Sequence, residues 1–309
     1  ACKLAEKAFV GVGLGFPRSD KRLRAIGVVR AKVLFADFSD APAQQTTKEV
    51  AGILSPTAPQ FFHDVSYGAM TLQLEFHAKW LRMSKPSSAY ATAIKTYAGH
   101  RDWLKEAVAL ADAEVDFGNG DIVVVIATPS AVKIGYGPTW MGSGGATGTI
   151  TADGAQITNG VTSGADLPYW GGLWLNHEMG HSLSLVDSYE FGGTSGFTRP
   201  FSLMDDIASV APEYLAYERW LLGWLEDAQI VCLPQSGQVA LSPMETPGGV
   251  KAVMVPVSGH RSVVVESRRA LGWDKKLSSV GAVVYTVDTS VKSGSGPIRV
   301  MHGQKALAV

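Results

Sequence analysis

Residues 175–190 read LNHEMGHSLSLVDSYE. On an α-helix, His177 and His181 project from one face a single turn apart, so both imidazoles can offer a nitrogen to one ion at about 2.0–2.1 Å. Glu178 stands beside the first histidine and can reach a water on that ion. Zinc would bring that water's pKa to about 7, and Glu178 would take its proton. The flanks GGLWL and SLSLV are strongly apolar, so the helix is expected to be buried, where two imidazoles without a shared purpose would be costly. The competing reading, a helix whose histidines face solvent or a polar core contact, fits those flanks less well.

With FSLMDD at 201–206, this stretch resembles the zinc helix and Met-turn of metzincin-like peptidases. More narrowly, the chain resembles the immune inhibitor A family of secreted bacterial metallopeptidases. VSYGAMTLQLEF resembles that family's strand before its catalytic helices, YERWLLGWL the segment after its Met-turn, and VVVESRRALGWDKKLSSVGAVVYTVD the strands that follow. The likeness spans most of residues 25–290.

The resemblance implies a third zinc ligand ten residues after the first histidine, which is Asp187. That geometry uses a glycine three residues after the second histidine, where the helix breaks with positive φ. Ser184 stands there instead, and a non-glycine residue is strained in that conformation, so the helix is expected to run on. Glu190, followed by FGG, is then the rival ligand, and the resemblance implies that a downstream glutamate can serve. The reading favours Glu190, with Asp187 orienting a ligand histidine. Met204 is expected as a hydrophobic floor under the metal, a role compatible with an ordinary core methionine. An oxyanion donor is needed; Tyr136, Tyr189, Tyr214 and Tyr217 all qualify by type, and spacing selects none.

The elements that must position these groups follow from periodicity. AIGVVRAKVLFADFSD alternates and reads as a strand with its turn, TTKEVAGILSP as a short helix starting near Thr46 or Thr47, and SYGAMTLQLEFHAKWLRM as a second strand. YATAIKTYAGHRDWLKEAVALADAEV carries Trp103, Leu104, Ala107, Val108 and Ala111 at helical spacing. The wholly apolar IVVVIATP suits a central strand buried on both faces. The glycine-rich stretch between Gly135 and Gly172 is expected to be an ordered edge, with ITNGVTSGAD presenting the strand that a peptide substrate would pair with. From about Ile230 onward, GQVALSP, VKAVMVPV, HRSVVVES and GAVVYTVD read as an antiparallel β module.

Composition bounds the rest. A 309-residue chain, 46% hydrophobic and 18% charged, can bury a large core. Net charge −1 with no Lys/Arg cluster argues against nucleic acid, and no apolar run approaches the ~18 residues of a membrane span. The two cysteines, Cys2 and Cys232, are either idle thiols or a pair closing a long loop; few thiols and low charge lean towards an exported protein. DFGNGD groups Asp116, Asn119 and Asp121 in one turn, which could hold Ca²⁺ weakly at most. GVGLGFP at 11–17 lacks the strand–helix context of a nucleotide loop.

The expectation is an α+β, metzincin-like zinc endopeptidase. Its catalytic domain would cover residues 1–229, with an upper part to about 181 and a lower, Met-turn part over 182–229. A β-rich C-terminal module would cover 230–309. It would be secreted and monomeric, with a protein or peptide substrate and one zinc held by His177, His181 and either Glu190 or Asp187. Glu178 would be the general base for a zinc-bound water. Two alternatives stand beside it: a metallohydrolase with a non-peptide substrate, and a non-catalytic zinc or surface binding protein on the same scaffold.

Overall fold

The computed structural model describes residues 2–303 and 305–308. The chain divides into two compact units. One, here the histidine unit, comprises residues 21–62 and 70–182; the other, the cystine unit, comprises residues up to Asp20, 63–69 and 183–309. Residues 183–229 and the strands after them thus belong to one compact unit, which the chain enters at Leu183.

In the histidine unit the chain runs through β1 (Gly27–Asp37), α1 (Thr47–Leu54), the start of α2 (Thr57–Val65), β2 (Met70–Arg82), α3 (Ser87–Ala93), α4 (Tyr97–Ala111) and β3 (Ile122–Ala127). It continues through β4 (Thr139–Met141), β5 (Ile150–Ala152), β6 (Ala155–Ile157), β7 (Asn159–Thr162), α5 (Asp166–Trp170) and α6 (Leu173–Ser182). Five strands form a sheet in the order β2-β1-β3-β7-β4. All pairings are parallel except β4 with β7. Every residue of β3 is buried, as its unbroken apolar run requires in a strand covered on both faces.

Trp103, Leu104, Ala107, Val108 and Ala111 of α4 face this sheet in a core with Phe38, Val123 and Val125. The single helix expected over this region is two, because Thr96 is extended and its hydroxyl accepts from the Gly99 N–H, capping α4. Thr46 and Glu49 form a reciprocal capping box that starts α1.

The glycine-rich stretch is ordered, as expected, but its strands lie differently. β5 and β6 form a small separate hairpin. β7, the expected substrate edge, is paired on both sides by β3 and β4. The sheet's edge strands are β2 and β4, and β4 doubles back antiparallel to cover β7.

The cystine unit carries α7 (Ala216–Leu221), β8 (Ile230–Cys232), β9 (Ala252–Pro256), β10 (Arg261–Arg268), β11 (Gly281–Asp288) and β12 (Ile298–Val300). Its sheet runs β12-β11-β10-β9-β8, antiparallel except for β8 beside β9. The expected strand GQVALSP is irregular, since its Ser242 N–H turns to the Val250 carbonyl and only Pro243 bridges to β10.

Cys2 and Cys232 form a disulfide. The segment behind Cys2 is also held non-covalently. The Ala5 N–H donates to the Gly259 carbonyl at 3.0 Å, and the Tyr217 hydroxyl to the Leu14 carbonyl at 2.7 Å. The Phe16 ring packs against Trp220, with centroids 4.5 Å apart.

A buried ionic network binds this unit together. Arg268, wholly buried, donates to Glu266 Oε1 at 2.6 Å, to Asp274 Oδ2 at 2.5 Å and to the carbonyls of Phe201, Glu213 and Tyr214. Arg219 pairs with Glu213. Glu218, also wholly buried, accepts from the Leu215 N–H at 2.7 Å and the Ser202 hydroxyl at 3.0 Å, tying the segment before Met204 to α7.

Burial drives the Glu218 carboxyl up to about 7, against the pull of its two donors. The folded chain therefore holds this proton up to about pH 7, whereas the unfolded chain releases it near the ordinary 4.5. The associated stabilisation is complete below pH 4.5 and is lost as pH rises through 7. Between pH 5 and 8 the cystine unit is expected to lose protection in hydrogen exchange, and Glu218→Gln should flatten that slope. An unchanged slope in the variant would assign it to other groups.

Candidate metal centre

Helix α6 starts where α5 stops. Gly171, at φ +68°, caps α5, and its carbonyl accepts the Trp174 N–H at 3.1 Å, the first turn of α6. Gly172 must lack a side chain, since a Cβ there would lie 2.6 Å from Thr57 at the start of α2. The helix is buried nearly all round, including Trp174, Leu175, Asn176, His177 and Met179, so its polar side chains need partners within the fold.

Its polar groups are individually fixed. The Asn176 amide donates to the Ala58 carbonyl at 2.9 Å, and the Trp174 indole to Asp166 Oδ2 at 3.0 Å. The same Asp166 carboxylate accepts from the Gly137 and Gly164 N–H groups at 2.7 and 2.9 Å. One carboxylate thus joins the helix to the loops before β4 and after β7.

The His177 and His181 rings face each other with centroids 5.0 Å apart and planes at 89°; His177 is buried and His181 half-buried. Ligand atoms of His177, His181 and Asp187 all lie within 4.8 Å of one another, the metal-type group found among the described residues.

Helix α6 does not run on. It ends at Ser182, and Ser184 takes the left-handed conformation at φ +91° despite being a serine. Such a residue costs on the order of 1–3 kcal/mol and persists only where its surroundings over-determine it. Gly13 does so here: its N–H donates to the Ser184 carbonyl at 3.2 Å, and its carbonyl accepts the Ser184 hydroxyl at 3.3 Å. The break carries the chain to Asp187, which is buried at 8% exposure. Glu190 is exposed in a short turn, with its N–H on the Ser195 carbonyl and its carbonyl accepting from Gly193, and it lies outside the three-residue group.

Glu178 is half-buried. The hydroxyl of Thr139, on edge strand β4, lies 2.5 Å from its carbonyl oxygen and 3.0 Å from its carboxylate Oε2. Met204 is fully buried, and its carbonyl accepts the N–H of Ser188, the residue after Asp187, at 2.9 Å.

Among the tyrosines, Tyr214 and Tyr217 are buried, Tyr217 with its hydroxyl on Leu14. Tyr136 is 48% exposed and Tyr189 half-buried.

The DFGNGD turn is a polar turn with its oxygens committed. Asp116 accepts from Gly118 and Asn119, Asn119 Oδ1 faces the Lys32 ammonium, and Asp121 Oδ2 holds Arg24 at 2.5 Å. Calcium would have to displace two cations already in place, so the weak site conceived for Asp116, Asn119 and Asp121 has no support.

Thr139, Asp166 and Gly13 were not marked by any motif; Thr139 and Gly13 reach their partners from distant parts of the sequence, and only the acidic N-terminal position of Asp166 on α5, eight residues before Trp174, was a usable signal.

No protein-family model matches the chain, and no curated protein matches it. Among solved structures, the chain is similar to metalloproteinase-II from Bacteroides fragilis at 13% identity and a TM-score of 0.35, over 69% of this chain and 58% of that one. It is also similar to catalytically inactive OgpA from Akkermansia muciniphila, solved with an O-glycopeptide (glycodrosocin) substrate, at 10% identity and a TM-score of 0.34, over 95% of this chain and 96% of that one. The chain therefore spans less than two thirds of the first of these. Likenesses of this depth carry no argument about function, which rests on the residues themselves.

Proposed function

We propose that the chain is a secreted zinc-dependent endopeptidase, with His177, His181 and Asp187 as zinc ligands and Glu178 as general base. The observation that carries this reading is the His-His-Asp group with a carboxylate one residue from the first histidine and held by an edge strand. Two imidazoles and one carboxylate are a donor set that suits a catalytic zinc, and their span of at most 4.8 Å is compatible with bonds of about 2.0–2.2 Å after small side-chain adjustments. The resemblance of the motif order to the immune inhibitor A family supports the same reading. The disulfide is in keeping with an oxidising compartment.

Bound zinc supplies a Lewis acid that polarises the scissile carbonyl and brings water's pKa towards neutrality. Glu178 takes the proton of the attacking water as its oxygen bonds to the peptide carbon, then returns it to the amine nitrogen as the C–N bond breaks. Thr139 holds the Glu178 carboxylate from the β4 side. The open edge of β4 offers main-chain groups to an extended peptide, which favours a peptide over a compact substrate.

Metal analysis of wild type, Asp187→Ala and Glu190→Ala after zinc loading and dialysis tests the ligand set. About one zinc per chain is expected in wild type and in Glu190→Ala, and close to none in Asp187→Ala. Zinc lost from Glu190→Ala alone would exchange the two roles; no zinc in any of the three would remove the enzyme reading.

A further inference from the structure

Asp187 is gripped from a part of the chain more than a hundred residues away. Its N–H donates to the Ser293 hydroxyl oxygen at 2.9 Å, and the same hydroxyl donates its single proton to Asp187 Oδ2 at 3.1 Å. The next residue continues the grip, since the Gly294 N–H donates to the Asp187 carbonyl at 3.2 Å and the Gly294 carbonyl accepts the Phe191 N–H at 3.1 Å. Gly294 sits at φ +72°, and a Cβ there would lie 2.2 Å from the Phe191 ring, so the loop approaches as closely as a backbone can. The loop that delivers both residues joins β11 to β12 and is closed at its base by the Asp288 N–H on the Pro297 carbonyl at 2.8 Å.

We infer that Ser293 is a positioning residue for the metal centre, holding the Asp187 carboxylate in the orientation from which it ligates zinc. This rests on the reading of Asp187 as third ligand. The physical argument is the reciprocity of the two bonds. A hydroxyl that accepts from the aspartate's own N–H has its proton directed at that aspartate's carboxylate. The side chain therefore cannot rotate without breaking a bond to the loop. One carboxylate oxygen is engaged by the hydroxyl, which fixes the orientation of the group. Partners of this kind, which fix a ligand without touching the ion, typically contribute 10–100-fold in metal affinity. Ser293 acts through Asp187 and has no role in the chemistry itself.

The test is zinc affinity, measured by competition with a chromophoric chelator, on wild type, Asp187→Ala, Ser293→Ala and Ser293→Thr, with the melting temperature of each zinc-free protein as a check on folding. Expected is an affinity loss of roughly 10–100-fold for Ser293→Ala, near-wild-type affinity for Ser293→Thr, which keeps the hydroxyl, and a larger loss for Asp187→Ala. Wild-type affinity in Ser293→Ala beside a loss in Asp187→Ala would overturn the role of Ser293 and leave the ligand set standing. Wild-type affinity in Asp187→Ala would overturn the ligand reading itself. Equal losses in Ser293→Ala and Ser293→Thr with unchanged melting would also overturn the inference, since the hydroxyl would not be what matters.

Discussion

Glu178→Gln is expected to lower peptide turnover by roughly 10²–10⁴-fold, the usual contribution of a general acid–base group, while zinc content stays at the wild-type level. Glutamine keeps the size and the oxygen of the side chain, so the contact with the Thr139 hydroxyl, 3.0 Å in the native chain, can survive. What is lost is the ability to take a proton from water and return it to the leaving amine. KM should change little, because Glu178 is not needed to hold an extended peptide on β4. The measurement is kcat and KM on a quenched peptide or on casein, with metal analysis of the same preparation. Turnover within a few-fold of wild type would mean that the proton goes elsewhere, and the half-exposed Tyr136 and Tyr189 would be the next groups to replace. Loss of zinc together with activity would recast Glu178 as part of the ligand shell.

Arg268→Met is expected to destabilise the chain by about 3–5 kcal/mol, the usual consequence of removing one member of a buried ion pair. Methionine fills much of the same volume, so the loss reports charge and hydrogen bonding more than packing. It would leave the carboxylates of Glu266 and Asp274, both fully buried, without the guanidinium they face at 2.6 and 2.5 Å. The Phe201 and Glu213 carbonyls would lose this donor as well, while the Tyr214 carbonyl keeps the Arg219 guanidinium at 3.0 Å. Glu266 keeps the Tyr285 hydroxyl at 2.8 Å and the Ala216 N–H at 2.6 Å, which is why the expected loss stays at this size. Denaturant unfolding followed by tryptophan fluorescence measures it. A change below about 1 kcal/mol would show that water or rearrangement replaces the guanidinium, and that the network matters less for stability than its burial implies.

Much of this was legible in the sequence, for reasons that differ by element. The strands β1, β2, β3, β9, β10 and β11 follow from alternation or from unbroken apolar runs, since period-two burial is printed directly in the residue order. The metal-type histidines and Glu178 were legible because one helical turn fixes their relation locally. The turn after that helix was not. A serine at Ser184 argued for a longer helix, and the compensation that lets it take φ +91° comes from Gly13, which no local rule connects to it. Ser293 is hidden in the same way, as an ordinary serine in the run KSGSGP. The edge was misplaced because β4 and β7 are both short, and only pairing tells which lies outside. Division into units was hidden because residues up to Asp20 carry no pattern that assigns them to strands more than two hundred residues away.

That last arrangement bears on how the molecule comes to exist. The cystine unit is interrupted twice, after Asp20 and after Ala69, and resumes only at Leu183. A ribosome adding about 5–20 residues per second therefore exposes Cys2 for on the order of 10–50 s before Cys232, 230 positions later, has been made. During that interval the histidine unit has its whole sequence, while the first segment of the other unit waits with an unpaired thiol and no sheet to join. Order of synthesis and order of assembly run in opposite directions here, so faithful production of this chain depends on the early segment being kept from other thiols and other edges until its late partner arrives.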